Sequence, residues 1–388
     1  MPKKVTAIVT EYRRGSHADV IIGNLLEGYA PDRKTRPDLE LVSLYTDQVP
    51  KTDMSRDLAK RYGFKICTTI AEALTLGTDK LAVEGVLSIG EHGNYPHNEK
   101  GQHLYPRRRF FEEICKVFYK TGRSVPVFND KHLAPTWDDA RWMYDRARKL
   151  MVPFLAGSSI PTAWRSPKLI LPKDCKLIGA VQIGYGPIEA YGFHALEGLQ
   201  CMVECRKGGE TGVAAATFLD ATAMWDAIDK HAWAMPLVEA AIAQFPDRSM
   251  DDIRKATTQA KDAGLFEIEY RDGLRAFVVM ANGWTKKGSE GAFLFAAHIA
   301  GEEKSSACQF LLQNGPPYSH FAELTKAIES LIRTGHAPYP VERTLLTTGI
   351  LDAAMTSRFK KGARVPTPHL DVRYRGTEWG PATTPFPK

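Results

Sequence analysis

Cysteine is scarce. Six occur in 388 residues, at Cys67, Cys115, Cys175, Cys201, Cys205 and Cys308, with no Cys-x-x-Cys pair. A disulfide framework and a thiolate metal centre are therefore not expected. Cys201 and Cys205 lie four apart on an expected helix, a spacing suited to packing. Long hydrophobic runs are missing too. No stretch approaches the roughly 18 apolar residues needed to span a bilayer, so no membrane partner is expected. The opening Met-Pro-Lys-Lys-Val-Thr-Ala-Ile-Val enters a strand without the apolar run and cleavage site of a signal peptide, so the expected location is cytoplasmic. Positive charge is not concentrated. The net charge of +6 is spread out, and Arg107-Arg108-Arg109 is its densest spot. That triplet is expected to be a solvated helix start. A basic stripe with interleaved aromatics is absent, which argues against a nucleic-acid partner. Internal repeats and low-complexity segments are also absent.

The rest is ordinary globular composition, 44% hydrophobic and 25% charged, at a length that suggests two domains. Over residues 1–153 strands and helices alternate. Strands are expected at 4–9, 39–45, near 66, at 81–89 and at 125–128. Helices are expected at 17–29, 51–62, 69–76 and 107–119, and after Thr136. This spacing predicts a parallel sheet with right-handed crossovers. From 154 to 388 the pattern changes. Expected strands at 154–156, 176–184, 213–219, 274–281, 292–300 and 307–313 cluster closely. That implies an α+β domain with a large, mostly antiparallel sheet. Helices are expected at 194–204, 221–245, 321–332 and 343–358, with an irregular tail after Pro366.

The stretch Val125-Pro-Val-Phe-Asn-Asp-Lys-His132 is the chemical focus. An apolar strand ends in Asn129, Asp130, Lys131 and His132 just before a helix. Open α/β sheets bind ligands at that edge. Lys131 reads either as a solvated loop lysine or as a functional ammonium with a pKa lowered by partial burial.

The order of elements resembles the glucose–fructose oxidoreductase and inositol dehydrogenase (Gfo/Idh/MocA) family over nearly the whole chain. Five stretches carry the resemblance: the first strand and its turn, Leu39 to Tyr62, Val86 to His92, Val125 to Ala134, and Gly192-Phe-His-Ala-Leu-Glu-Gly-Leu199. The resemblance implies an N-terminal Rossmann-like doubly wound domain and a C-terminal open-sheet domain. It implies an oxidoreductase that uses NAD or NADP on a carbohydrate or polyol. Lys131 falls on the family's signature lysine, and His194 on its catalytic histidine. The family also self-associates through the open sheet, so a homodimer or homotetramer is expected.

Three departures accompany it. The dinucleotide turn, ordinarily Gly-x-Gly-x-x-Gly, is Thr10-Glu-Tyr-Arg-Arg-Gly15. Only Gly15 survives, Tyr12 is expected to crowd the pyrophosphate path, and Arg13 and Arg14 could attract phosphate. After the second strand Thr46 takes the place of the ribose-binding acid, with Asp47 next. Asp47 is equally a plain turn aspartate. Four residues before His194 the expected aspartate is Ala190. On a regular helix Glu189 would point roughly 140° away from His194, whereas Tyr191 would share its face. Either residue could assist His194.

Glu91 and His92 end a strand in the expected cleft, so they join the cofactor-side candidates. With His17, His97, His103, Glu189 and His194 they could also ligate a divalent metal, although no metal-ligand spacing appears. His132, Ser158, Ser159 and Arg165 are candidates for lining the substrate pocket. The alternative activity on this fold is a non-redox sugar lyase, hydratase or epimerase using Glu91, His92, Lys131 and His194, with the dinucleotide site altered or lost.

Overall fold

A computed structural model describes residues 1–245, 248–287, 290–313 and 315–387. The first sheet holds β1 (Lys3–Val9), β2 (Leu39–Thr46), β3 (Lys65–Cys67), β4 (Gly85–Ile89), β5 (Val127–Asp130) and β6 (Phe154–Gly157). Their order is β3-β2-β1-β4-β5-β6, and every neighbouring pair is parallel. This is the expected Rossmann-like doubly wound sheet. The connecting helices are α1 (His17–Glu27), α2 (Ser55–Tyr62), α3 (Ile70–Thr75), α4 (Arg107–Thr121) and α5 (Trp137–Lys149). Strands buried on both faces explain runs such as Val5, Ala7, Ile8 and Val9, all without exposed surface. Phe154–Gly157, which the sequence placed after the domain boundary, pairs in parallel with β5 and completes this sheet.

The second sheet has eight strands. They are β7 (Trp164–Ser166), β8 (Leu177–Gly184), β9 (Val213–Asp220), β10 (Gly264–Tyr270), β11 (Arg275–Met280), β14 (Phe293–Ile299), β15 (Ser306–Leu311) and β16 (Val365–Pro366). β12 (Lys286–Lys287) and β13 (Glu290–Gly291) form a separate small ribbon. The order is β16-β9-β10-β11-β8-β14-β15-β7, and only β11 and β8 run parallel. The sheet is therefore mostly antiparallel, as expected. β10 had no counterpart in the sequence reading, yet it pairs on both sides.

Alternate residues of this sheet face two different layers, as the two-residue period requires. Ala180, Phe266, Ile268, Val278 and Phe295 pack with α6 (Ala190–Val203) and α11 (Val341–Phe359). Val181, Ile183, Leu265, Phe277 and Leu294 pack with α7 (Ala223–Lys230), α8 (Ala234–Ile242) and Ile253 of α9 (Met250–Gln259). The expected helix over 221–245 is thus two helices. His231 is extended, and Pro236 sits in the first turn of α8, where its missing N–H costs nothing. The apolar sheet face that motivated an expected oligomer is covered within the chain.

α10 (His320–Thr334) returns to the first sheet. Its Phe321, Leu324, Ile328 and Leu331 share a core with β1, α1 and Tyr12. No described helix is long and apolar enough to cross a membrane.

Leu237 of α8 is 1% exposed in the outer layer of the second sheet. Leu237→Ala should lower the unfolding free energy by about 2–5 kcal/mol in a urea titration. A loss below about 1 kcal/mol would mean that α8 does not pack tightly on the sheet.

Candidate functional site

β4 and β5 end side by side at the carboxyl edge of the first sheet, and each delivers a charge there. Glu91 follows β4, and Lys131 follows β5. Lys131 Nζ donates to Glu91 Oε1 at 2.7 Å, and Arg107 Nη2 donates to Glu91 Oε2 at 2.8 Å. All three are buried. Burial pushes the Glu91 carboxyl up, but the two cations outweigh it and hold it well below the usual range. Arg107 is not the solvated residue its triplet suggested: it has no exposed surface. It lies on the same helix face as Phe110, Phe111 and Ile114, which follow at helical spacing and are themselves fully buried.

The network extends outward. Arg107 Nη1 donates to His132 Nε2 at 2.9 Å, which puts the proton of the neutral ring on Nδ1. Burial, then Arg107, hold His132 well below its ordinary pKa. His132 Nε2 is 3.5 Å from Glu189 Oε1. Glu189 caps α6 with helical backbone, φ −75° and ψ −57°, and its carbonyl accepts the Phe193 amide, so its side chain leaves the helix away from His194, as expected, and reaches His132 instead. Burial raises its pKa to about 7, against the pull of Arg107 and Lys131.

The first turn supplies the opposite wall. His17 Nδ1 meets Asp130 Oδ2 at 2.7 Å. Arg13 Nη2 donates to His92 Nδ1 at 3.2 Å, leaving the proton of the neutral His92 ring on Nε2. Burial and neighbouring His17 lower the His92 pKa to about 4. Three atoms here are buried without a partner among the described residues: His92 Nε2, His132 Nδ1 and Glu189 Oε1. Such orphans are uncommon and mark where a polar ligand would bond. Lys131 and His92 also adopt left-handed backbone, at φ 61° and 70°. Strain of that kind in non-glycine residues gathers at functional sites.

His194 enters from the second sheet on α6. Its ring centroid lies 6.5 Å from that of His17 and 5.6 Å from that of Tyr191. Burial, then Lys131 and His17, hold His194 well below its ordinary pKa, so it is neutral. Its hydrogen-bond partner is neither Glu189 nor Tyr191. Ser158 Oγ lies 2.6 Å from His194 Nδ1. With the proton on Nδ1 facing Ser158, Nε2 is left as a base. Ser158 is held in turn by Glu197, whose Oε2 accepts the Ser158 amide at 3.3 Å. The hydroxyls of Thr344 and Thr347 donate to Glu197 Oε1. A Cβ on Gly157 would lie 2.5 Å from Glu197 Oε2, and Gly157 has φ 132°, so this turn needs glycine.

The groups expected to hold a dinucleotide are engaged within the chain. The Tyr12 ring does not crowd the pyrophosphate path: it is 1% exposed and belongs to the core beneath α1. The Tyr12 carbonyl accepts the Met54 amide, and the Thr10 carbonyl accepts the Gln48 amide. The Thr10 hydroxyl donates to the Glu91 carbonyl at 2.6 Å. Glu11 pairs with Arg13. The Gly15 amide, at the start of α1, donates to the Asp19 carboxylate at 2.8 Å. Asp47 accepts from Arg109, Tyr45 and Tyr95. Burial raises the Asp47 pKa, but those three donors bring it below the usual range.

Two further candidates separate from this cluster or face another way. Ser159 is buried, and its carbonyl accepts the Thr162 hydroxyl. Arg165 points to the Leu169 carbonyl and the Cys201 thiol, away from His194. For a metal, ligand atoms of His17, Glu91 and His92 all lie within 4.8 Å of one another. The donor set fits a divalent ion poorly. Both Glu91 oxygens already serve cations, and Arg13 on His92 Nδ1 leaves that ring's proton on Nε2, so only His17, with Nδ1 on Asp130, keeps a free ring nitrogen for a metal.

The raised Glu189 pKa has a stability consequence. Between its ordinary value of 4.5 and about 7 the unfolded carboxyl ionises while the folded one keeps its proton. The folded state then binds more protons, so stability falls as pH rises through this window. The span corresponds to about 3 kcal/mol. The stability of Glu189→Gln minus that of the wild type should grow by up to that amount across the window. A flat difference would show that Glu189 ionises normally.

No protein-family model matches the chain, and no curated protein matches it in sequence. Solved structures do match its fold. The GenD2 protein of gentamicin A biosynthesis, solved in complex with NAD, superposes with a TM-score of 0.57 at 15% identity, covering 94% of this chain and 97% of that one. An Agrobacterium radiobacter oxidoreductase, in complex with NAD+, L-tartaric acid and magnesium, gives 0.57 at 12%, covering 94% and 98%. A myo-inositol dehydrogenase from Corynebacterium glutamicum gives 0.56 at 12%, covering 94% and 99%. The fold expected from the Gfo/Idh/MocA resemblance is therefore the fold this chain has.

Proposed function

We propose that the chain is an oxidoreductase that moves hydride between NAD(P) and a carbinol of a carbohydrate or polyol. The carrying observation is the convergence of Lys131 and His194 around Glu91 and His17, beside the orphaned polar atoms of His92, His132 and Glu189. Several hydrogen-bonding groups aimed into one edge suit a ligand with several hydroxyls. A fold-mate bound to NAD and the myo-inositol dehydrogenase among the fold-mates support the same reading.

In this mechanism His194 Nε2 takes the proton of the reacting hydroxyl, with Nδ1 fixed on Ser158. Lys131 Nζ hydrogen-bonds the same oxygen and stabilises the charge that develops there. Glu91 fixes the ammonium in place. Glu189 and His92 bond neighbouring hydroxyls, with Tyr191 bordering His194. A bound nicotinamide supplies the hydride acceptor. The Gly15 amide at the α1 N-terminus, with Arg13 and Arg14, would hold its phosphates, and Asp47 its ribose. Asp19 must first release the Gly15 amide, and Asp47 its donors. Each exchanged bond subtracts about 1 kcal/mol from affinity.

A second reading, a non-redox lyase, hydratase or epimerase, is favoured by that engagement and by Glu189, whose pKa of about 7 suits proton transfer near neutrality. Lys131→Ala and His194→Ala should each lose at least about 10²-fold in turnover with the fold intact. Lys131→Arg should not rescue, because a planar fork cannot replace a compact ammonium. Full activity in both alanine variants would refute the site. Calorimetric titration with NAD and NADP should show weak binding that Asp19→Asn strengthens. No binding of either, with turnover retained, would transfer the assignment to the non-redox reading.

A further inference from the structure

We propose that the chain carries a second small-molecule site, for a singly charged organic carboxylate, beneath the C-terminal tail. A cavity of about 450 Å³ lies at the far end of α6 from His194, within the usual range for ligand pockets. Pro161, Ile170, Leu171 and Met202 give it apolar walls, and Trp379, 37% exposed, stands at its mouth.

Its cations are matched except one. Arg206 is paired with Glu210 and Asp272, Arg343 with Glu204, Lys173 with Glu378, and Arg375 with Asp174. Arg165 meets no carboxylate among the described residues. Its Nη1 donates to the Leu169 carbonyl at 3.0 Å, and its Nη2 lies 3.5 Å from the Pro161 carbonyl and 3.6 Å from Cys201 Sγ. Its Nε is buried without a partner, and its guanidinium carbon sits 5.3 Å from the centroid of the Phe310 ring. Neutral acceptors leave a half-buried charge uncompensated, and a carboxylate answers a guanidinium with charge-assisted hydrogen bonds. Glu204, Asp174 and Glu378 line the same cavity. Each is already paired with a cation, so Arg165 alone offers a charge without a carboxylate, which suits a monoanion over a phosphate dianion. The apolar walls and the indole select a flat or hydrophobic body. The site adjoins the first without being part of it: the short helix Ile160–Thr162 separates Ser158, on His194, from Thr162 and Arg165, on the cavity.

The test uses the full chain with benzoate as probe, benzamide as its neutral isostere and inorganic phosphate as the competing anion. Benzoate should shift the Trp379 indole resonance saturably, the signal being assigned with Trp379→Phe. Benzamide and phosphate should not. Arg165→Gln should weaken benzoate binding roughly tenfold or more, the effect of losing a charged hydrogen bond. Arg165 also ties down a turn, so Trp379→Ala, at an exposed position, is the second variant. It too should weaken binding, read by saturation transfer to benzoate. Absence of a saturable shift, equal binding of benzamide, binding of phosphate at Trp379, or unchanged affinity in a folded variant would overturn the proposal.

Discussion

The site depends on one buried carboxylate with two cations. Glu91 sits where β4 ends and holds Lys131 from β5 and Arg107 from α4. Without it two buried positive charges would face each other across the sheet edge, a cost of several kcal/mol per ion. With it, the ends of two strands and the start of a helix are fixed relative to one another. The charges also set the neighbouring titrations. Burial, with Arg107 beside it, keeps His132 neutral, and burial with Lys131 keeps His194 neutral, while burial overrides both cations at Glu189.

The second sheet contributes through a relay of small parts. Glu197 holds the Ser158 amide, and the Ser158 hydroxyl holds His194. Gly157, the last residue of β6, has no side chain because that carboxylate occupies the space. The two sheets thus meet at the end of β6. The helices α7 to α9 close the sheet's outer face, so the chain completes its own second core.

Much of the fold was legible in the sequence because two periodicities carry it. Continuous apolar runs separated by helices imply parallel strands, and clustered strands imply antiparallel ones. β10 was overlooked although Phe266-Glu-Ile-Glu-Tyr270 alternates apolar and polar residues, the pattern of a half-buried strand. Local motifs placed Lys131 at the sheet edge and His194 on the helix after β8, where the structure has them. Arg107 was missed because its triplet drew attention to charge, although its spacing to Phe110, Phe111 and Ile114 placed it on the buried face. Glu197 and Ser158 were harder. Their partnership joins α6 to the end of β6, 39 residues apart, and no local pattern encodes it. Tyr12 was misjudged because a missing glycine shows that a turn differs but not where the new side chain goes.

The central claim is that Glu91 is the shared counter-ion on which the site is built. A double-mutant cycle in unfolding free energy, using Glu91→Gln, Lys131→Met and the pair, tests it most directly. Coupling of about 1.5 kcal/mol or more, with each single variant destabilised by several kcal/mol, is the result this account predicts. Coupling near zero, with Glu91→Gln as stable as the wild type, would contradict it.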